Sequence, residues 1–236
     1  MASSRNKEVE IKFLVADVRA LERKLRAAGF RRVTPRTHEM NVLYDTPEGL
    51  LRESGQLLRI RQYGKKWTLT HKAPTRTASK EPTGAHRTSP PFAALRVGHP
   101  MKTPVVSLRS AQERGVTPAR HKTRIETETE VADGAKMDAI LRALGFAPTF
   151  RYEKFRSEWT DDKGEVVVDE TPIGNVAEIE GAPRWIDQTA KKLGVSRAEY
   201  IIKNYAQMFF DWKRRTGSKA EEMAFGDLSR RRGTTE

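Results

Sequence analysis

Alternation of apolar and polar residues, the pattern of β-strands with two different faces, recurs in short segments along the chain. In residues 8–13, EVEIKF, three apolar side chains share one face of the predicted strand, and two glutamates and a lysine share the other. Taken alone, such a strand usually rests its apolar face on a core and exposes its charged face to water. The other strands decide whether this interpretation holds.

The same pattern predicts eight strands, near residues 7–14, 36–45, 56–63, 66–73, 123–131, 149–160, 165–170 and 175–181. Helices are predicted near residues 17–28, 134–144, 184–193 and 197–213. The last of them is expected to begin at a capping box formed by Ser196 and Glu199. Because turns join most of the strands and helices separate the two halves, we expect an α+β fold with an antiparallel sheet.

Charged residues occupy one face of nearly every predicted strand. The bases on these faces are Lys12, Arg59, Arg61, Lys72, Arg124, Lys154 and Arg156. The acids are Glu8, Glu10, Glu126, Glu128, Glu130, Asp169, Glu178 and Glu180. The apolar stripes of the helices need the apolar strand faces as a surface to cover, so the charged faces point away from the helices. We therefore expect an eight-stranded antiparallel β-barrel with helices packed outside and the charged faces lining its lumen.

A lumen lined by both signs of charge is costly unless the charges pair with one another, with water or with bound ions. Arg and Lys side chains bind phosphate oxygens, and carboxylates hold Mg²⁺ or Mn²⁺, which in turn bridge phosphates. The pattern therefore favours a polyphosphate, bound together with Mg²⁺ or Mn²⁺, as the ligand.

Composition narrows the class of protein. The chain has 236 residues and no cysteine, which excludes disulfides, thiolate nucleophiles and cysteine-bound zinc. The N-terminal segment MASSRNKEVE lacks the apolar core of a signal peptide, and no stretch has the length and hydropathy of a membrane span. We expect a soluble, cytoplasmic protein.

The net charge of +13 suggests nucleic acid at first sight, but the excess is local. Residues 75–122 carry nine Lys or Arg against two acids, and residues 213–236 carry seven against four. Residues 75–120 also hold half of the prolines without any sustained period, so we expect a flexible basic insertion that is dispensable for folding and chemistry. The predicted organisation is one domain over 1–215, interrupted at 75–120, and a flexible basic tail over 216–236.

The segment EVEIKF resembles the ExExK signature of the CYTH superfamily, which contains class IV adenylate cyclases, thiamine triphosphatases and other triphosphatases. The resemblance continues through LLRIR, the lysine of LTHK, RIETETEV, FRYEKFR and DETPIGNVAEIEG, and covers about residues 7–74 and 121–212. It implies a triphosphate tunnel, an eight-stranded antiparallel barrel that binds divalent metals. The run of motifs looks most like the class IV adenylate cyclase branch.

On this basis the sequence predicts a metal-dependent enzyme acting on a triphosphate. The residues expected to hold the phosphates are Lys12, Arg59, Arg61, Lys72, Arg124, Lys154 and Arg156, all but Arg124 being catalytic candidates as well. The candidate metal ligands are Glu8, Glu10, Glu126, Glu128, Asp169, Glu178 and Glu180. Glu130 is left out of this set because it lies at the end of its strand.

Two reactions fit the same lining. The motif resemblance favours cyclisation of ATP to cyclic AMP and pyrophosphate. Hydrolysis of inorganic, thiamine or nucleoside triphosphate is the alternative, because no stretch identifies a pocket for adenine. The expected partner is a small-molecule triphosphate, ATP or another, rather than a membrane or nucleic acid, and a homodimer is compatible with the sequence.

A third alternative is a binder of nucleic acid or polyphosphate that uses the basic segments and has no enzymatic activity. No aromatic residues are interleaved with these charges, as stacking on bases would require. The sequence contains no GxxxxGK[ST] or GxGxxG motif, and the five histidines show no ligand spacing. We expect the histidines at the surface and Trp67, Trp159 and Trp185 in packing roles.

Overall fold

The computed structural model describes residues 6–75 and 121–229, and in this part of the chain eight strands form a closed barrel. The strands are β1 (Asn6–Val15), β2 (Arg31–Asp45), β3 (Leu57–Tyr63), β4 (Lys66–Pro74), β5 (Lys122–Val131), β6 (Ala147–Thr160), β7 (Glu165–Thr171) and β8 (Gly174–Glu180). Their order around the barrel is β1-β5-β4-β3-β2-β6-β7-β8, and every neighbouring pair is antiparallel. The predicted fold class is confirmed.

Helices surround this barrel. Within the described residues they are α1 (Val18–Ala27), α2 (Leu50–Glu53), α3 (Gly134–Ala143), α4 (Pro183–Leu193), α5 (Tyr205–Thr216) and α6 (Phe225–Ser229). The short helices α2 and α6 were not predicted, because neither is long enough to show a helical period. None of these helices has the length and apolar composition needed to cross a membrane.

The outer faces of the strands carry the core. Ile11 of β1 and Ile179 of β8 are completely buried together with Leu25 of α1 and Ile186 of α4. Trp159 of β6 joins the same cluster and is 1% exposed. Burying each such side chain stabilises the fold by about 1.5–3 kcal/mol. The apolar faces of the strands therefore point outward to the helices, and the polar faces line the lumen.

Strand register places the charged residues on the inside, because residues paired across two strands project from the same face. Lys12 of β1 pairs with Glu178 of β8, and Glu10 pairs with Glu180. Lys72 of β4 pairs with Glu126 of β5 in the same way. The faces inferred from the alternating pattern are therefore those that meet in the lumen.

The helix predicted for 197–213 is wrong at its start. The capping box of Ser196 and Glu199 does form, but it caps a single 3-10 turn at Arg197–Glu199. A second capping box, made by Asn204 with Gln207, begins α5.

The residues between these two turns are extended because they pair with β1. Ile201 forms two backbone hydrogen bonds with Lys12, with N–O distances of 2.7 and 2.9 Å. Strand β5 pairs with β1 only as far as Glu10, so the segment at Ile201 takes the place beside β1 that β5 leaves open.

The chain that follows α5 also packs on the barrel. Ala220 and Met223 are completely buried, and the backbone of Met223 exchanges hydrogen bonds with Arg151 and Glu153 of β6 at 3.1 and 2.9 Å. The expectation of a flexible tail from residue 216 is therefore wrong for the residues up to 229, whose few apolar side chains fill a gap against β6. Most of the predicted insertion, residues 76–120, lies outside the described residues, and its dispensability stays a prediction.

Candidate active site

The lumen contains a cavity of about 430 Å³ that extends from the strands to the first residues of α5. Eight basic and eight acidic side chains line it, so neither sign of charge dominates. The bases are Lys7, Lys12, Arg59, Arg61, Lys72, Lys122, Lys154 and Arg156. The acids are Glu8, Glu10, Glu126, Glu128, Glu158, Glu165, Glu178 and Glu180. Twelve of the fourteen predicted site residues are among them.

One group of charges surrounds a buried carboxylate. Asp169 is completely buried and accepts hydrogen bonds from Lys154 Nζ at 3.0 Å and from the Arg156 guanidinium at 2.7 and 2.8 Å. The hydroxyl of Tyr205, the first residue of α5, donates a fourth hydrogen bond to Asp169 at 2.5 Å. The tyrosine ring lies 4.6 Å from Lys154 Nζ, which is within the range of a cation–π interaction. Asp169 is thus saturated by donors and holds the two bases in place.

A second buried carboxylate, Glu39 of β2, faces the same bases. Its oxygens lie 3.3 Å from Lys154 Nζ and 3.6 Å from Arg156 Nε, and Asn41 Nδ2 donates to it at 2.9 Å. Burial raises the pKa of Glu39, but Lys154 and then Arg156 outweigh burial and hold that pKa at about 2. Glu39 is therefore ionised at neutral pH and fixes the positions of both bases.

Glu10 and Lys12 lie at the centre of another group. Lys12 Nζ is 2.7 Å from Glu10 Oε2 and 3.1 Å from Glu178 Oε1, and Lys122 Nζ donates to Glu10 Oε1 at 2.8 Å. Burial raises the pKa of Glu10, but the charges of Lys12 and Lys122 bring the pKa down to about 2. Despite burial, Glu10 and Glu178 also hold the pKa of Lys12 above its ordinary value.

Arginines and one lysine face the acids of β5. Arg61 donates to Glu128 at 2.6 Å, and Arg59 lies 3.6 Å from the same carboxylate. Lys72 is 2.6 Å from Glu8 and 3.1 Å from Glu126. These bases line the cavity, and donors of this kind bind phosphate oxygens.

Glu180 forms no ion pair with any described residue, a property that it shares in this lining with Glu158 and Glu165. Burial, and next the charge of Glu8, raise its pKa to about 8. Glu8 also has a buried oxygen, Oε2, without a hydrogen-bond partner in the described structure, and burial raises the pKa of Glu8 as well. Glu8 and Glu180, which flank Glu10, thus have too little positive charge around them to balance their carboxylates.

Carboxylate oxygens that lack a hydrogen-bond or ion-pair partner are suitable ligands for a divalent cation. In the described ranges, 6–75 and 121–229, no three carboxylate or imidazole groups already converge as a metal site. At Glu10, amines take both oxygens. The carboxylates of Glu8, Glu10 and Glu180 fit Mg²⁺ or Mn²⁺ provided that one of the two amines moves away from Glu10.

Two predicted residues lie outside the cavity lining. Arg124 directs Nη1 to the carbonyl oxygen of Gly55, at 2.6 Å, instead of into the cavity. Asp169, a candidate metal ligand, sits behind the lining with its oxygens occupied by Lys154, Arg156 and Tyr205. Both of its oxygens are therefore occupied in this structure.

Sequence reasoning missed several residues of the site. Glu39 lies in the segment THEMNVLYD, whose alternation places it on the lumen face, a signal that was present but not used. Lys122 precedes the predicted start of β5 by one residue. Tyr205 looks like a packing residue of a helix in the sequence, yet it lines the cavity. Tyr152, which shares a strand face with Lys154, lines it as well. Only the fold brings Tyr205 to it.

The predicted packing roles of the tryptophans are confirmed. Trp159 and Trp185 belong to the cluster under α1 and α4, and Trp67 packs beneath α3. The ring of Trp67 requires Gly134 at the start of α3, because a Cβ there would lie 2.2 Å from it. Of the described histidines, His38 is exposed, whereas His71 and His121 are partly buried beside Gln56 and Asp187.

Comparison with known proteins agrees with this architecture. Residues 6–205 match the model of the CYTH domain family. No curated protein matches the chain.

Solved structures resemble it at low identity. A protein of Vibrio parahaemolyticus, whose name proposes an adenylate cyclase, is 14% identical with a TM-score of 0.60, over 86% of this chain and 97% of that one. A protein of Pyrococcus horikoshii is 19% identical with a TM-score of 0.59, over 86% and 98% of the two chains. A conserved hypothetical protein of Pyrococcus furiosus is 20% identical with a TM-score of 0.57, over 85% and 98%. At these identities the likeness is one of fold.

Proposed function

The chain belongs to the CYTH domain family, whose triphosphate tunnel enzymes are in general metal-dependent, and from that premise we propose that it is a metal-dependent enzyme acting on a triphosphate. The observation that carries the proposal is the balanced lining of the cavity, with eight bases and eight acids in about 430 Å³. A triphosphate accompanied by divalent cations brings both signs of charge and satisfies both halves of such a lining.

We assign the phosphates to the inward-facing bases. These are Lys12, Arg59, Arg61, Lys72, Lys154 and Arg156. Arg59 and Arg61 offer planar guanidinium groups that bind two phosphate oxygens at once, and both are prepositioned by Glu128. Such fixed donors stabilise charge that develops on a phosphoryl group without having to reorganise during the reaction.

We assign the cation to Glu8 and Glu180, which have oxygens to spare, together with Glu10 between them once an amine has left it. Glu8, Glu10 and Glu180 would hold it, with Glu178 beside them, since Glu10 and Glu180 are direct partners across β1 and β8. Bound there, Mg²⁺ or Mn²⁺ would neutralise phosphate charge and orient the phosphoryl group. Glu126 and Glu128 remain candidates for contacts with a second cation, whereas Asp169 acts through Lys154 and Arg156.

Two reactions are compatible with this assignment. Cyclisation of ATP, in which the ribose 3′-oxygen attacks the α-phosphorus and pyrophosphate leaves, is favoured by the motif resemblance. Hydrolysis of the terminal phosphate is favoured by the lining, because charged groups predominate in it. Adenine binding calls for an apolar slot with a few directed polar groups.

The test is to incubate the purified protein with ATP or with inorganic triphosphate, each with Mn²⁺ or Mg²⁺, and to resolve the products. Cyclic AMP with equimolar pyrophosphate supports the cyclase, whereas orthophosphate from inorganic triphosphate without cyclic AMP from ATP supports the triphosphatase. A double variant, Glu10→Gln with Glu180→Gln, should abolish either reaction. Turnover that survives EDTA or this double variant would overturn the proposal.

A further inference from the structure

Both oxygens of Glu10 are occupied by amines. Lys12 takes Oε2 at 2.7 Å, and Lys122 takes Oε1 at 2.8 Å. The second contact is built into the barrel, because Lys122 is the direct partner of Glu10 across β1 and β5. If Glu10 is to bind a cation, one of these two amines has to leave.

The two lysines differ in how firmly they are held. Lys12 contacts two carboxylates, Glu10 and Glu178, and only 4% of its side chain is exposed. Lys122 contacts Glu10 as its one carboxylate partner in the described structure, and 17% of its side chain is exposed. Lys122 also lines the cavity, so its ammonium can turn toward a ligand there. Lys122 is therefore the amine that leaves at lower cost.

The surroundings of Glu10 show why the exchange is favourable. Glu180 is the direct partner of Glu10 on the other side of β1 and has no ion pair with any described residue. Glu8 keeps one buried oxygen without a hydrogen-bond partner. One ammonium group satisfies only Glu10, whereas a divalent cation would be shared by three carboxylates.

We propose that Lys122 is an exchangeable counter-ion. It occupies Glu10 in the free protein and turns to the triphosphate when Glu10 ligates a cation. This inference rests on the proposed function and adds a residue that the predicted site did not contain. The purely structural alternative is that Lys122 only holds β5 to β1, as an ordinary cross-strand ion pair does.

Coupling between the two ligands follows from the exchange. Cation binding releases Lys122, which then strengthens triphosphate binding, and by linkage triphosphate strengthens cation binding by the same factor. Removal of the Lys122 ammonium therefore has two opposite effects. The cation binds more tightly, because it no longer competes with an amine, and the triphosphate binds more weakly.

The experiment compares the wild type with Lys122→Met, using Lys136→Met as the matched control. Lys136 lies on α3 outside the barrel and is 83% exposed. Titration calorimetry with Mn²⁺ alone gives the cation affinity, and the KM for triphosphate at saturating Mn²⁺ gives the second effect. We expect Mn²⁺ to bind Lys122→Met roughly fivefold tighter or more, the lower end of coupling between sites, and KM to rise by a similar factor. Lys122→Arg should restore both values, and the control should change neither.

Each outcome bears on a different statement. Mn²⁺ affinity that is unchanged or lower in a folded Lys122→Met overturns the exchange, because a structural ion pair would leave or weaken the cation site when lost. If the wild type binds Mn²⁺ but turns over no triphosphate, the proposed function fails, and the Mn²⁺ titration still decides whether Lys122 competes. If the wild type binds no Mn²⁺, both fail.

Discussion

The carboxylate of Glu39, which is completely buried, lies 3.3 Å from the ammonium group of Lys154, of which 1% is exposed. Two opposite charges removed from water in this way are costly to separate, because each would remain buried without its partner. The pair explains how the barrel holds a buried ammonium group in a fixed position. It also makes Glu39 a position where stability and site geometry can be tested together.

Replacement of Glu39 by Gln should lower the free energy of unfolding at pH 7 by roughly 3 kcal/mol, because Lys154 and Arg156 lose a buried counter-charge. The pKa of Glu39 is lowered from 4.5 to about 2, so its contribution is complete above pH 4.5 and is lost as the pH falls toward 2. Urea unfolding at pH 7 and at pH 3 should therefore show a smaller difference at the lower pH. The exposed Glu48→Gln serves as control. An equal difference at both values would contradict the assignment.

Replacement of Glu180 by Gln should stabilise the protein without metal. Burial and the charge of Glu8 raise the pKa of Glu180 to about 8, so its carboxyl has to take up a proton when the protein folds at pH 7. A glutamine avoids this cost, which is roughly 1–2 kcal/mol. The same change should reduce the rise in Tm produced by Mn²⁺. Differential scanning fluorimetry with and without Mn²⁺ measures both effects. Glu130→Gln, at a side chain that is 71% exposed, should show neither.

Replacement of Arg61 by Gln should lower kcat/KM for the triphosphate by roughly 10²-fold, the effect of losing one fixed donor to a developing charge. Arg61 lines the cavity and is 18% exposed, so its loss should leave the fold intact. Steady-state kinetics with a thermal melt of each variant checks this. Arg26→Gln on α1, where the side chain is 53% exposed outside the barrel, should keep wild-type kinetics. Equal kinetics in both variants would remove Arg61 from the site.

Replacement of Met223 by Ala should destabilise the protein by about 2–5 kcal/mol, the cost of a cavity in a core. Met223 is completely buried beside Tyr152 and Phe209, although it lies in the segment expected to be loose. Thermal and urea unfolding measure the effect, with the exposed Glu221→Ala as control. If the free energy of unfolding changes no more in Met223→Ala than in the control, the tail is flexible at this position.

The faces of the strands were predictable, and the contacts between distant segments were not. In β3, β5, β8 and residues 8–13 of β1 the charges alternate strictly, so each lumen face follows from the pleat alone. The lumen-facing position of Glu39 follows from the same alternation when it is applied to β2. Ile201 is different, because its extended conformation comes from pairing with Lys12, which outweighs the helical pattern of the local sequence. Met223 likewise carries no local signal of burial.

Both neighbours of β1 come from far along the chain: β5 begins at Lys122 and β8 ends at Glu180. While a ribosome makes the protein, the first strand therefore has no partner until the second half of the chain has emerged. The inward glutamates and the lysine of β1 keep its unpaired edges soluble during this time, since charged strands resist pairing with other chains. Closure of the barrel is consequently a late, long-range event, and we expect slow folding in which an N-terminal fragment that ends before β8 stays open and exposed to proteases.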